Sequence, residues 1–425
     1  MPLRSIAAVL PGGSARRPIL LMALGAFALG TDAYVISGVL PKVSSGLGVS
    51  LTGAGLLITV FAGVYAVFAP PIAVFTGNMC RKRAMQVALT VFIAANVLAA
   101  FAPGFWTVVA ARVLAALGAG MYTPAAAAAA ASIVKPEERG RALATVIGGL
   151  TIATAVGVPI GTFIGQAASW RATFVFVAAM GLVALAGITH SLGHITSPGV
   201  VSLRERVASI TIKGVPGTLL AIVIGICGFF TLYTYMTWFA DKVGGVTGTA
   251  ITLIYVLYGV SAVIANFAAG ALIDRVSPTR VAALSFGCLV VTQGLFAVVA
   301  RIGNGSAGMA YALGCLVVLW VLTGWLFYPA LQKHVAVAAG PRATVALSLV
   351  ASSVYAGQAL AGVLGGVLIR YGPASLALAA TACALIALII LSTSTRAAAP
   401  VPEPAEPAPS APSSAEPSLR GSNVS

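Results

Sequence analysis

The chain has 425 residues, of which 59% are hydrophobic and only 8% are charged, too few ionisable side chains to cover the surface of a water-soluble globule. Its formal charge of +15 comes from 24 Lys and Arg against 9 Asp and Glu, and the cations stand in twos and threes between long apolar runs. This excludes a soluble enzyme and a contiguous nucleic-acid-binding face. Five cysteines (Cys80, Cys227, Cys288, Cys315 and Cys383) include no CxxC, so neither a disulfide nor a zinc framework is expected.

In chain order, Arg16 and Arg17 precede an apolar run of about 22 residues, Ile19 to Leu40, too long for the core of a cleaved signal peptide. It reads as a first membrane span. Further runs able to cross roughly 30 Å of hydrocarbon at 1.5 Å per residue follow at 53–75, 84–102, 105–131, 142–168, 172–189, 218–240, 250–273, 281–300, 307–331, 344–369 and 374–391. Lipid offers no partner for a free backbone N–H or C=O, so all twelve must be helices. The expected organisation is a cytoplasmic segment 1–18, a six-helix bundle 19–189, a cytoplasmic linker 190–217, a second six-helix bundle 218–392, and a Pro/Ala/Ser/Glu-rich tail 393–425 that cannot bury a core.

Cation placement orients the chain. With the N-terminus inside, eighteen basic residues fall on the cytoplasmic side: Arg4, Arg16, Arg17, Arg81, Lys82, Arg83, Lys135, Arg139, Arg141, Arg204, Arg206, Lys213, Arg275, Arg280, Lys333, Arg342, Arg396 and Arg420. Five fall outside (Lys42, Arg171, Lys242, Arg301 and Arg370), so both termini are expected in the cytoplasm. A weak repeat supports two related halves: Gly77 to Arg83 after span two matches Gly270 to Arg275 after span eight, and Gly120 to Pro124 in span four matches Gly324 to Pro329 in span ten. Parallel six-span repeats around a central site are a transporter design.

Among the acids, Glu137, Glu138, Glu205, Glu403, Glu406 and Glu416 belong to loops or the tail, and Asp241 and Asp274 to span ends, so Asp32 alone lies deep in a span. Arg112, in span four, is the one deep cation, and counting from the outer ends puts it at the level of Asp32. Either charge alone in hydrocarbon costs several kcal/mol. Hydrocarbon favours the neutral carboxyl and a guanidinium favours the ionised one, so a balanced site can take up or release a proton.

Span five carries Gly157, Gly161 and Gly165 at i, i+4 and i+8 with Pro159 between the first two, a smooth, kinked face for close helix approach, expected across the interface of the two bundles. Tyr34, Phe230, Tyr233, Tyr255, Trp320 and Trp325 are candidate lining for an apolar substrate cavity with a few hydroxyl and indole donors. His190 and His194 have i, i+4 spacing but no third ligand, and read as interfacial rather than metal-binding. No Ser/His arrangement or pair of membrane acids suggests an enzyme.

These residues resemble the major facilitator superfamily, specifically its twelve-helix drug:proton antiporter branch, over residues 18 to 392. The carriers of the resemblance are Gly157-Val158-Pro159-Ile160-Gly161-Thr162-Phe163-Ile164-Gly165 with Trp170 to Phe174, Gly30-Thr31-Asp32 with Gly38 to Pro41, Arg112 with Gly118 and Gly120, and Arg139-Gly140-Arg141-Ala142. The resemblance implies a span-five antiporter motif and proton coupling through Asp32 and Arg112. It departs after span two, where the family has an Asp-Arg pair and this chain has Cys80-Arg81. Gating there is expected to rest on Arg81, Lys82 and Arg83 with helix ends, while Asp274 and Arg275 keep the pattern in the second half. The expected function is proton-coupled efflux of a small amphipathic drug or metabolite across the inner membrane by alternating access, the chain acting as a monomer. Its partners would be the substrate, protons and the lipid bilayer, with the proton gradient and no cofactor or metal as driving agent. The alternatives are a proton-coupled importer of a sugar or nucleoside and a non-transporting membrane sensor.

Overall fold

The computed structural model of the chain describes residues 15–193, 195, 212 and 214–397. Arg4, His194, Arg204, Glu205, Arg206, Lys213, Glu403, Glu406, Glu416 and Arg420, with most of the expected linker and tail, lie outside the described residues.

Among the described residues, twelve helices are long and apolar enough to cross a membrane: α1 Arg16–Leu47, α2 Leu51–Phe75, α3 Arg81–Ala100, α4 Phe105–Ser132, α5 Pro136–Ala167, α6 Trp170–Ser191, α7 Val215–Thr234, α8 Gly248–Ile273, α9 Pro278–Ile302, α10 Ala307–Ala339, α11 Val345–Tyr371 and α12 Pro373–Ser394. The expected spans each coincide with one of them. Several helices run one to two turns beyond the expected span ends. α1 runs through Pro41 to Leu47 and ends at Gly48, whose left-handed backbone (φ 63°) closes the last turn. Asp32 therefore sits at the middle of α1, deeper than a helix ending near Pro41 would put it.

Proline shapes other helices according to where its missing N–H falls. In α5, Pro159 follows a five-residue wide turn, Ala153–Gly157, where the Val158 N–H reaches back to the Ala153 carbonyl. In α10 the helix breaks after Gly324 and resumes at Phe327, shortly before Pro329. α7 breaks at Tyr235 and continues as Met236–Gly244.

Helices α1 to α6 pack mainly among themselves, as do α7 to α12; the two halves join chiefly where α2 meets α11 and where α5 meets α8. We call the face where α1 begins the near face and the face where it ends the far face. Toward the far face the halves are sewn together. Thr52 Oγ1 donates to the Gly366 carbonyl (2.7 Å) and Thr59 Oγ1 to the Ala359 carbonyl (3.2 Å). A Cβ at Gly259 would collide with the α5 backbone at Thr154 and Ala155, so α8 can approach the wide turn only because residue 259 has no side chain. Toward the near face the halves part around a cavity of about 200 Å³, with walls from α2, α4, α5 and α11.

Pro41 takes part in the far-side closure. Lacking an N–H, it leaves the Ser37 carbonyl without its helical donor, and its ring crowds the preceding turn. The structure supplies a substitute from the opposite half, and a second donor bonds the neighbouring carbonyl. Thr237 Oγ1, beyond the break in α7, donates to the Ser37 carbonyl at 2.7 Å and lies 3.2 Å from Tyr255 Oη. Gln166 Nε2 of α5 donates to the Gly38 carbonyl at 2.8 Å. The bond from Thr237 is buried and joins the two halves, so opening the far face must expose that carbonyl to water or leave it unpaired, at about 1–3 kcal/mol if unpaired.

Two variants test this closure. Thr237→Val removes the donor, and Pro41→Ala restores an N–H that competes for Ser37. Both are expected to enrich long distances between spin labels on the exposed far-face positions Ser45 and Lys242; an unchanged distance distribution in both would remove the bond from the closure.

Candidate functional site

The middle of α1 is polar where the rest of its core-facing surface is apolar. Thr31, Asp32 and Ser37 are all buried, and Asp32 meets Arg112, from the far-face half of α4. Arg112 Nη1 donates to both carboxylate oxygens at 2.8 Å, and Nη2 donates to the Asp32 backbone carbonyl at 3.4 Å. The side chains are 0% and 1% exposed. At an effective dielectric near 20, opposite charges 4 Å apart attract by about 4 kcal/mol, against a desolvation cost of several kcal/mol per ion. The intact pair is therefore close to balance, and losing either partner is costly. The equality of depth expected from sequence is realised as direct contact.

The pair is connected to the other half through rings. The Arg112 guanidinium lies over Phe61 of α2, 4.4 Å from its centroid, a cation–π contact. Phe61 meets Tyr355 of α11 (6.4 Å), and Tyr355 stacks on Tyr65 of α2 (3.8 Å). A second route starts two residues beyond Asp32. Tyr34 stacks on Phe230 (5.7 Å) and meets Tyr233 edge-on (6.0 Å). Its hydroxyl accepts from Gln358 Nε2 at 3.3 Å, and its carbonyl accepts from Tyr233 Oη at 3.4 Å. Both α7 and α11 of the second half thus touch the neighbourhood of the ion pair.

Of the expected cavity residues, Tyr34, Phe230 and Tyr233 come together in this way, and Tyr255 packs edge-on against Tyr233 at 5.7 Å. Trp320 and Trp325 flank Phe229 at 4.3 and 5.5 Å, and Trp325 also meets Phe230 at 6.5 Å, inside the second bundle. None of the six lines the near-side cavity, whose walls include Tyr65, Thr123, Ser348 and Ser352 among Ala, Pro and Gly. Large rings fill space in a bundle core, and open volume is left where side chains are small. A larger cleft of about 600 Å³ lies between α8 and α10 by the far face. Its exposed Leu253 and Tyr311 (61% and 77%) put it on the flank of the molecule, remote from the ion pair.

The span-five glycines require a correction. Gly157, Gly161 and Gly165 face α1, where added Cβ atoms would strike Thr31, Val35 and Val39. The ridge joins two helices of one bundle, with Pro159 buried beside it. Other faces of the same stretch meet α8 of the other half, with Thr154 and Ala155 of the wide turn at Gly259 and Val158–Ala167 beyond it. The smooth face therefore seats α5 on the segment of α1 that carries Asp32.

At the near face, Lys82 Nζ donates to the Leu192 carbonyl at 2.6 Å, and the Arg81 backbone N–H donates to the Ile195 carbonyl at 3.0 Å. These groups hold the end of α6, while Arg83 is exposed. The Cys80 thiol, just outside α3, is held below its ordinary range by backbone N–H groups of Arg83, Ile195 and Lys82 and by the Lys82 charge, which together outweigh its desolvation. In the second half Asp274 pairs at 3.0 Å with Lys333 of α10, a partner that adjacency in sequence did not reveal, and Arg275 is exposed. Phe61, Tyr65, Tyr355, Gln358 and Thr237 were likewise missed. The i, i+4 pair Phe61 and Tyr65 was readable as a ridge, but its contact with Tyr355 depends on how the halves dock.

A family model described as the Major Facilitator Superfamily matches residues 22–313 and 218–424. The uncharacterized MFS-type transporter YbcL of Bacillus subtilis is 30% identical over 83% of this chain and 88% of its own length. A chloramphenicol resistance protein of Streptomyces lividans is 30% identical over 64% of this chain and 71% of its own length. Among solved structures, a peptide transporter POT in complex with alafosfalin aligns at TM-score 0.72 and 15% identity, covering 93% of this chain and 99% of that one, a likeness of fold.

Breaking the buried pair from one side is expected to cost about 3–5 kcal/mol. Thermal melting in detergent should rank Arg112→Met below wild type, with Asp32→Asn combined with Arg112→Met recovering part of the loss. A double variant that melts lower than Arg112→Met would contradict the pairing.

Proposed function

Because the chain belongs to the major facilitator superfamily, we propose that it is a proton-coupled antiporter that exports a small amphipathic organic compound across the cytoplasmic membrane, with both termini inside. The observation that carries this reading is the sealed Asp32–Arg112 pair, with Nη1 donating to both carboxylate oxygens and Arg112 resting on Phe61. It is a charge pair at the centre of a span, touching a ring that touches the opposite half. The excess of cations on the near side supports an inward near face, and the cavity then opens toward the cytoplasm. The name of the Streptomyces lividans relative supports export of a drug-like solute. The driving agent is the proton gradient, without a bound cofactor, and the transporting unit is one chain.

In this mechanism Asp32 carries the proton. Protonation removes the carboxylate charge and ends the bonds from Nη1, leaving the guanidinium over Phe61 without its counter-ion. Arg112 and Phe61 shift together, the contact with Tyr355 on α11 is reset, and the balance between far-closed and far-open states changes. Substrate entering the near cavity favours the state in which the pair is intact. Because each ligand biases the same two states, proton and substrate affect one another's binding reciprocally.

Purified protein in proteoliposomes, with chloramphenicol as the first probe and a wider screen of drugs, sugars and nucleosides behind it, should move protons against the solute. Asp32→Asn should abolish that proton movement while the protein remains folded and inserted. Solute and protons travelling in the same direction would establish import instead, and full proton flux in Asp32→Asn would remove this residue from the coupling.

A further inference from the structure

The walls of the near-side cavity hold hydroxyls and no carboxylate, amine, imidazole or guanidine. Tyr65 and Thr123 stand on one side, Ser348 and Ser352 face them from α11, and Ala, Pro and Gly with Ile147 complete the lining. Asp32 and Arg112 do not reach it: each is at most 1% exposed, and each neutralises the other. Between the pair and the cavity stand Phe61, Tyr65 and Tyr355, with Tyr65 stacked on Tyr355 at 3.8 Å and so without a free ring face on that side for a cation.

We infer that this cavity selects uncharged solutes with hydroxyl or amide groups and excludes organic cations, an inference that rests on reading the cavity as the transport site. The argument is energetic. An ion entering a membrane-embedded site sheds water, and without a counter-charge on the walls that desolvation goes uncompensated at several kcal/mol. A neutral solute gives up only hydrogen bonds that these walls can replace: the Tyr65 and Ser352 hydroxyls face it, and Thr123 and Ser348, which donate to the Ala119 and Val345 carbonyls, still offer oxygen lone pairs as acceptors. Charged residues flank the cavity mouth. Arg139 and Arg141 lie at the near end of α5, which contributes Ile147, and Arg342 precedes α11, which contributes Ser348 and Ser352. Glu137 and Glu138 stand at the same end of α5 and offset part of this positive field, so the discrimination rests on the cavity walls. A cavity of about 200 Å³ suits a small solute, so size cannot account for the difference between two ligands of one scaffold.

The test uses two such ligands, the N-acetyl amide and the free amine of the nitrophenyl-propanediol scaffold, the amine being a cation at neutral pH. Binding to full-length protein in detergent is measured directly, without transport. Wild type is expected to bind the amide at least tenfold more tightly than the amine. Ser352→Asp, which places a carboxylate on the wall, is expected to bind the amine at least tenfold more tightly than wild type does, with Ser348→Asp as a second variant should the first not fold. Amine binding by wild type equal to that of the carboxylate variants overturns the inference, whether or not the amide binds. If the binding preference holds but no proton-linked flux of the amide is seen in proteoliposomes, the antiport reading fails and the charge selectivity stands.

Discussion

One carboxylate and one guanidinium share a site from which water is excluded, and the arrangement of the first half follows from the need to keep them together. Neither ion is stable alone at that depth, and a pair in contact only approaches balance. The surrounding helices must therefore fix the geometry. α5 does so by presenting Gly157, Gly161 and Gly165 to α1, bringing its backbone against Thr31 and Val35 on either side of Asp32. α2 does so by placing the face of Phe61 beneath the guanidinium. A site held this tightly has two arrangements rather than a continuum, because a small displacement of Arg112 forfeits both of its short bonds.

The second half reads that site through aromatic contacts and closes over it through hydrogen bonds to backbone carbonyls. Tyr355 and Tyr34 carry the aromatic contact. Thr52, Thr59 and Thr237 donate across the far side to carbonyls of the opposite half. Such bonds suit a surface that must open repeatedly, since water can replace each of them when the face is exposed, whereas interlocked apolar side chains would bind the halves permanently. Pro41 contributes by leaving Ser37 a carbonyl that the partner half can use. Among the described residues the near side carries no comparable seam, and its cavity lies there.

The fold and the pair were legible in the sequence for one reason: hydrocarbon is an intolerant solvent. It demands about 20 apolar residues per span, so twelve spans could be counted, and it penalises stray charge, so Asp32 and Arg112 stood out and matched in depth. The parts that were not legible depend on docking, which periodicity does not encode. Spacing showed that Gly157, Gly161 and Gly165 form a smooth face but not that α1 covers it. Aromatic content marked α7 and α10 as ring-rich but not that Trp320 would fill a bundle core with Trp325 packed partly buried against it, leaving the open volume to serines, alanines and prolines. Pro41 and Pro159 were visible as helix disturbances, yet the donor that answers Pro41 stands 200 residues away from Ser37 at Thr237. Lys333, the partner of Asp274, lies 59 residues from it.

The central claim is that Asp32 alternates between a proton and a guanidinium as its partner. Infrared difference spectroscopy on purified protein, stepping from high to low pH, observes that exchange without a substrate. The account predicts a protonated-carboxyl band that grows as pH falls and is missing in Asp32→Asn. The same band persisting in Asp32→Asn, or no band in wild type, would contradict it.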